Sequence, residues 1–198
     1  QMSREKPGAA LLYGVTGSGK TAVYLQLIAK ALENGKSAVL LVPEIALTPQ
    51  LLTRLRGQFA DRTAILHSSL RVGERYDEWQ RIRRGEARVV VGTRSAIFAP
   101  VQNLGLIILD EEQEHTYKSE NAPRYHAREV ALYRGLCEQA LVLLGSATPS
   151  IETMYHAREG KLALYHLTQR YNRQALPKTM IVDMKQELRR GNDTALSL

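Results

Sequence analysis

The chain has 198 residues, 44% apolar and 24% charged, which is enough for one sizeable α/β domain and leaves no apolar run long enough to span a bilayer. Its single cysteine, Cys137, excludes an internal disulfide framework and a cysteine-based zinc cluster within these residues. Lys and Arg outnumber Asp and Glu by 27 to 20, and the net charge of +7 tilts toward a polyanionic partner without requiring one.

The start, Gln1 to Lys6, is polar and carries no secretory pattern, so a cytoplasmic setting without membrane contact is expected. Short apolar blocks at 11–13, 38–42, 64–66, 89–92, 106–109 and 141–144 read as strands, several apolar on both faces as in a parallel sheet buried between helical layers. Helical stretches fall between them. The first covers 21–33 and stops at Asn34-Gly35; the second opens at Thr48-Pro49-Gln50 with Thr as cap. Three more cover 71–84 before Gly85, 126–139, and 150–159 before Gly160. This alternation predicts an α/β fold with a mostly parallel sheet and helices on both faces.

Residues 1–168 are read as one domain. Residues 169–198 are read as a connector and the beginning of a further region. Leu176-Pro177-Lys178 looks like a link, 179–182 a short strand, and 185–191 a charged helix.

Gly14 to Thr21 reads GVTGSGKT directly after the first apolar block. This is the phosphate-loop pattern between a strand and a helix, which average residue frequencies would produce in about one such chain in a hundred. Gly14, Thr16, Gly17, Ser18 and Gly19 would cradle phosphate oxygens with backbone N–H groups. Lys20 adds a point charge, and the Thr21 hydroxyl can hold Mg²⁺. The helix start aims its positive end at the same anion. ATP and Mg²⁺ are therefore the expected ligands.

The block at 106–109 runs into Asp110 and Glu111, at the strand end where parallel sheets bind ligands. Asp110 is expected to hold the Mg²⁺ through its water shell, and Glu111 to orient or deprotonate the attacking water. The histidines His67, His115, His126, His156 and His166 follow no common zinc spacing, so zinc is not expected here. Cys137 is expected to be buried, and Tyr24, Tyr76, Tyr133 and Tyr155 to pack within helices. Tyr117 and Tyr125 flank a loop and are candidates to stack on bases.

Further runs extend the pattern: VPEIALTPQ at 42–50, His67-Ser68, GTRSAIFAP at 92–100, DEEQEHTYKSE at 110–120, PRYHAR at 123–128 and GSATPSIET at 145–153. In this order behind GVTGSGKT they resemble superfamily 2 helicases, and more narrowly the replication-restart helicases, over nearly the whole chain. The resemblance implies a RecA-like P-loop NTPase lobe, the first of two in an ATP-dependent DNA helicase. Lys20, Asp110, Glu111 and Gln113 would carry catalysis, Gln113 standing where His is more common. Glu44, Thr48, His67, Ser68, Thr93 and Arg94 would lie on the DNA-facing side. Tyr117, Lys118, Arg124, Tyr125 and His126 would form a loop that senses single-stranded DNA, and Ser146 and Thr148 would link hydrolysis to strand movement. The implied partners are single-stranded and forked DNA, a second lobe, single-strand-binding protein and helicase-loading primosome proteins. The competing reading is a nucleotide-dependent DNA-binding regulatory module with no motor role. A small-molecule kinase would leave the DNA-type motifs unexplained.

Overall fold

A computed structural model describes residues 8–169, 181–189 and 191. Among these residues seven strands form one sheet: β1 (Ala9–Gly14), β2 (Ser37–Leu41), β3 (Thr63–Leu66), β4 (Val89–Gly92), β5 (Leu104–Asp110), β6 (Leu141–Ser146) and β7 (Ala163–Leu167). Among the described residues six α-helices accompany them: α1 (Lys20–Glu33), α2 (Pro49–Phe59), α3 (Val72–Arg83), α4 (Ala127–Glu138), α5 (Ile151–Arg158) and α6 (Met184–Arg189). All pairings are parallel, in the order β3-β4-β2-β5-β6-β1-β7.

Strand alternation divides the apolar residues into two cores. Leu11, Val39, Leu41, Ile107, Leu109, Val142 and Leu144 point to one face with Ile82 of α3, Ala127 and Ala131 of α4, and Ala157 of α5. Ala10, Leu12, Leu40, Val42, Ile108 and Leu143 point to the other, with Tyr24, Ile28 and Leu32 of α1 and Leu55 and Phe59 of α2. Burial on both faces is why these strands read as continuous apolar runs.

Helix starts follow local chemistry. The Thr48 hydroxyl accepts the Leu51 N–H, Ser150 accepts the Thr153 N–H, and Glu74 accepts the Arg71 N–H. The cap of α4 is His126, whose Nδ1 accepts the Arg128 N–H at 3.2 Å.

Three sequence expectations need correction. β7 was not anticipated, because its residues are largely exposed at the sheet edge and show no buried face. Cys137 is exposed on α4 rather than buried. Tyr76, Tyr133 and Tyr155 lie on outward helix faces and are exposed, whereas Tyr24 is buried. Most of the expected connector and the start of the 179–182 strand lie outside the described residues. Ile181 and Val182 have no regular structure, and α6 covers most of the charged helical stretch.

Candidate nucleotide and nucleic-acid sites

Register brings the two nucleotide motifs together. Tyr13 pairs with Ser146 and Asp110 pairs with Gly145, so the carboxyl ends of β1, β6 and β5 meet at one edge. A cleft of about 520 Å³ opens there, lined by residues 15–22, Arg54, Asp110 and Glu111. Gly17 and Gly19 have φ of 80° and 93°, which L side chains rarely adopt, and an added Cβ at either would meet nothing within 4 Å. No backbone acceptor within the described residues takes the N–H groups of Gly17, Gly19, Lys20 or Thr21. Free donors, a cation and carboxylate oxygens in one cleft fit a magnesium–triphosphate ligand. Ser18 contributes less than expected. Its N–H is taken by Val15 O at 3.0 Å, and its hydroxyl is buried without a partner.

Lys20 is buried. Its Nζ donates to Gly14 O at 2.9 Å and stands 3.7 Å from Glu111 Oε1. The contacts continue outward. Gln113 Nε2 donates to Glu111 Oε2 at 3.0 Å, the Ser146 hydroxyl donates to Gln113 Oε1 at 2.6 Å, and the Thr148 N–H donates to Ser146 Oγ at 2.9 Å. A continuous polar path therefore joins the phosphate loop to the end of β6. Glu111 itself has φ of 48°, a left-handed conformation uncommon outside glycine.

Asp110 is held from two sides. The Tyr24 phenol and the Glu111 N–H both donate to its Oδ1, at 2.8 and 3.1 Å, while the Tyr117 phenol donates to its backbone O at 2.7 Å. Burial raises the Asp110 pKa above the usual carboxylate value, opposed by the Tyr24 hydrogen bond and the Lys20 charge. Burial, and then Asp110, pushes both phenols well above the ordinary tyrosine value. Tyr117 is only 1% exposed and has no face for a base, which corrects the stacking expectation.

A second depression of about 490 Å³ is lined by Glu44, Ser68, Thr93, Arg94, Lys118 and neighbours. The Ser68 hydroxyl donates to Glu44 Oε1 at 2.8 Å. Arg94 Nη1 donates to Thr116 O at 3.0 Å and also to Lys118 O, which fixes the loop wall. The loop closes on itself by an antiparallel bridge between Lys118 and His126. An adjoining hollow contains Lys118, Arg124, Tyr125 and His126. The half-exposed Phe98 meets the Tyr125 ring edge-on at 4.9 Å, and the Arg94 guanidinium lies 5.8 Å from the same ring. Burial, with the Arg128 charge second, lowers the His126 pKa below the usual histidine value. Two expected residues lie elsewhere. Thr48 borders the space beside Thr21, Tyr24 and Asp110, and His67 opens to a hollow between α2 and α3.

Sequence reading passed over a buried cluster behind the loop. Glu112 is fully buried and accepts from Arg128 Nη1 at 3.1 Å, Ser150 N at 2.8 Å and Thr153 Oγ1 at 2.9 Å. It ties the strand end after β5 to the starts of α4 and α5. Arg54 of α2, also passed over, borders the phosphate-loop cleft. Nothing in its local sequence marks it.

The chain belongs to the DEAD/DEAH box helicase family, whose model matches residues 5–156. It is 53% identical over 188 residues to Replication restart protein PriA of Bacillus subtilis, covering 95% of this chain and 23% of that protein. It is 48% identical over 192 residues to the protein of that name from Synechocystis sp., covering 94% and 23%. The chain thus spans about a quarter of the length of the relatives it matches. These relatives bear out the likeness to the first motor domain of replication-restart helicases. Among solved structures, RecG bound to a three-way DNA junction matches with TM-score 0.60 at 28% identity, over 83% of this chain and 21% of that one. The Pyrococcus furiosus Hef helicase domain matches in fold with TM-score 0.58 at 19% identity, over 82% and 35%. The α/β fold is RecA-like, as expected.

Proposed function

We propose that this chain is the ATP-binding first lobe of a DNA helicase acting in replication restart, which couples ATP hydrolysis to movement along single-stranded DNA. The observation that carries the reading is the meeting of Lys20, Asp110 and Glu111 at one sheet edge, with a polar path from Glu111 to Ser146 and Thr148. RecG, to which the chain is similar, was solved on a DNA junction, which supports DNA as the substrate class.

In this reading the free N–H groups of the phosphate loop and the Lys20 ammonium bind the β- and γ-phosphates. Thr21 and Asp110 would hold the Mg²⁺, which neutralises phosphate charge when bound. Glu111 orients the attacking water and accepts its proton. Gln113 reports the state of the cleft to Ser146. The shallow groove at Glu44, Ser68, Thr93, Arg94 and Lys118 follows the sugar–phosphate backbone, and Tyr125 with Phe98 offers an aromatic surface to a base. Residues 1–168 form the lobe and 169–198 lead out of it. The arginine that completes phosphoryl transfer comes from a second lobe. Alone, this chain binds ATP weakly, hydrolyses it slowly and does not unwind duplex. Forked DNA, single-strand-binding protein and helicase-loading proteins are the partners proposed for the longer protein, acting in the cytoplasm.

The test is DNA-stimulated ATP hydrolysis by the longer protein carrying this lobe, as wild type, Lys20→Ala and Glu111→Gln. A large loss in both variants is expected. Variants matching wild type would overturn the motor reading in favour of a passive nucleotide-dependent DNA binder.

A further inference from the structure

Lys20 and Tyr24 stand four positions apart on α1, so their side chains lie one above the other on one helix face. Both are buried at the same sheet edge. Lys20 faces Gly14 and Glu111, and Tyr24 reaches across to Asp110, 86 positions along the chain.

The phenol does more than fill space. Asp110 Oδ1 receives two donors, the Tyr24 hydroxyl at 2.8 Å and the Glu111 N–H at 3.1 Å. Within the described residues Oδ2 receives none, and Asp110 borders the cleft alongside Thr21 and Lys20. Two donors on one oxygen fix the carboxylate plane and leave the other oxygen without a donor among the described residues. Gly145, the register neighbour of Asp110, is shaped around this contact. A Cβ at Gly145 would stand 1.8 Å from the Tyr24 hydroxyl oxygen and 2.9 Å from its Cζ, so only glycine admits the phenol.

We infer that Tyr24 is a positioning residue for the divalent cation: its hydroxyl locks Asp110 so that one carboxylate oxygen stays presented to the metal of a bound magnesium–nucleotide. The inference rests on the nucleotide-site reading above. A ring serving only as core filling would be replaced by phenylalanine without consequence for magnesium. A second-layer donor is different, because loss of such a partner typically costs about 10–100-fold in metal affinity.

The experiment titrates MgCl₂ into the longer protein carrying this lobe at fixed concentration of a fluorescent ATP analogue, for wild type, Tyr24→Phe and Gly145→Ala, with the analogue's affinity also measured in EDTA. Thermal melting checks each fold. The expected result is a magnesium midpoint raised about tenfold or more in Tyr24→Phe. Its affinity in EDTA should stay within about twofold of wild type. Gly145→Ala, which displaces the same hydroxyl from the opposite side, should raise the midpoint in the same direction. A midpoint in Tyr24→Phe equal to wild type overturns the inference and leaves the nucleotide site standing. If Tyr24→Phe melts below the assay temperature, Gly145→Ala decides by the same criterion. Wild-type longer protein that binds no analogue at any magnesium concentration overturns the nucleotide-site reading and this inference with it.

Discussion

The Lys20 ammonium stands 3.7 Å from the Glu111 carboxylate while donating to Gly14 O, so the cation of the phosphate loop already has its counter-charge in place. A triphosphate entering the cleft competes with Glu111 for that ammonium. Removing the glutamate charge should therefore leave nucleotide affinity equal to or tighter than wild type, while hydrolysis falls by about two orders of magnitude in Glu111→Gln. Lys20→Ala should weaken nucleotide binding by about tenfold or more, as expected for a lost charge-assisted contact. Equilibrium binding and single-turnover hydrolysis separate the two effects.

Arg128 and Glu112 form a buried ion pair whose acid also takes N–H and hydroxyl donors from Ser150 and Thr153. Truncating the arginine leaves a buried carboxylate short of its counter-charge. Arg128→Ala should lower unfolding free energy by about 3–5 kcal/mol. Replacing both partners, as Glu112→Gln with Arg128→Met, should recover much of that loss. Urea denaturation of the two variants provides the check.

Arg94 anchors the wall of the groove through the carbonyls of Thr116 and Lys118. Arg94→Ala should loosen the loop and weaken single-stranded DNA binding without altering nucleotide affinity. Lys118→Ala should lower the slope of log affinity against log salt by about 0.7, the value for one lost phosphate contact on a single strand. Fluorescence anisotropy at several salt concentrations reads both.

The His126 cap on α4 works only with a neutral ring, because Nδ1 is the acceptor. Burial and the Arg128 charge lower the pKa of His126 in the folded chain, so the unfolded chain binds the proton more readily. Stability is then intact above about pH 6.5, the unperturbed histidine value, and is lost as pH falls through the lowered folded value. The loss should not exceed about 1 kcal/mol, the usual worth of a cap. His126→Asn keeps an acceptor and should flatten this dependence between neutral and mildly acidic pH, read by denaturant melts across the range.

The six strands β1–β6 and the helices α1–α5 were legible because burial on both sheet faces leaves unbroken apolar runs, and because Thr48, Ser150, Gly85 and Gly160 mark helix ends; α6 was legible as a charged helical stretch. β7 left no such trace, since an edge strand with exposed side chains has no pattern to read. The phosphate loop and Asp110–Glu111 were legible as spacing, and the register then places them side by side. Tyr24 was legible only as an apolar helix position. Its hydroxyl partner lies 86 residues away, and no local period encodes that distance. The same holds for Arg128 and Glu112, whose pairing depends on how α4 packs against the end of β5.

The strand order has a consequence for how such a lobe can change over time. The sheet divides between β2 and β5: β3, β4 and β2 lie on one side, and β6, β1 and β7 follow β5 on the other. The chain crosses this seam only twice, after β1 and after β4, so residues 37–92 form one uninterrupted cassette. The groove proposed for nucleic acid is lined from both sides of this seam, with Glu44 and Ser68 inside the cassette and Thr93, Arg94 and Lys118 after it, whereas the strands that lead into the phosphate loop, Asp110 and Ser146 all lie outside the cassette. Under the proposed function, groove and cleft therefore share the stretch of chain that follows the cassette, and the two traits cannot drift wholly apart under selection.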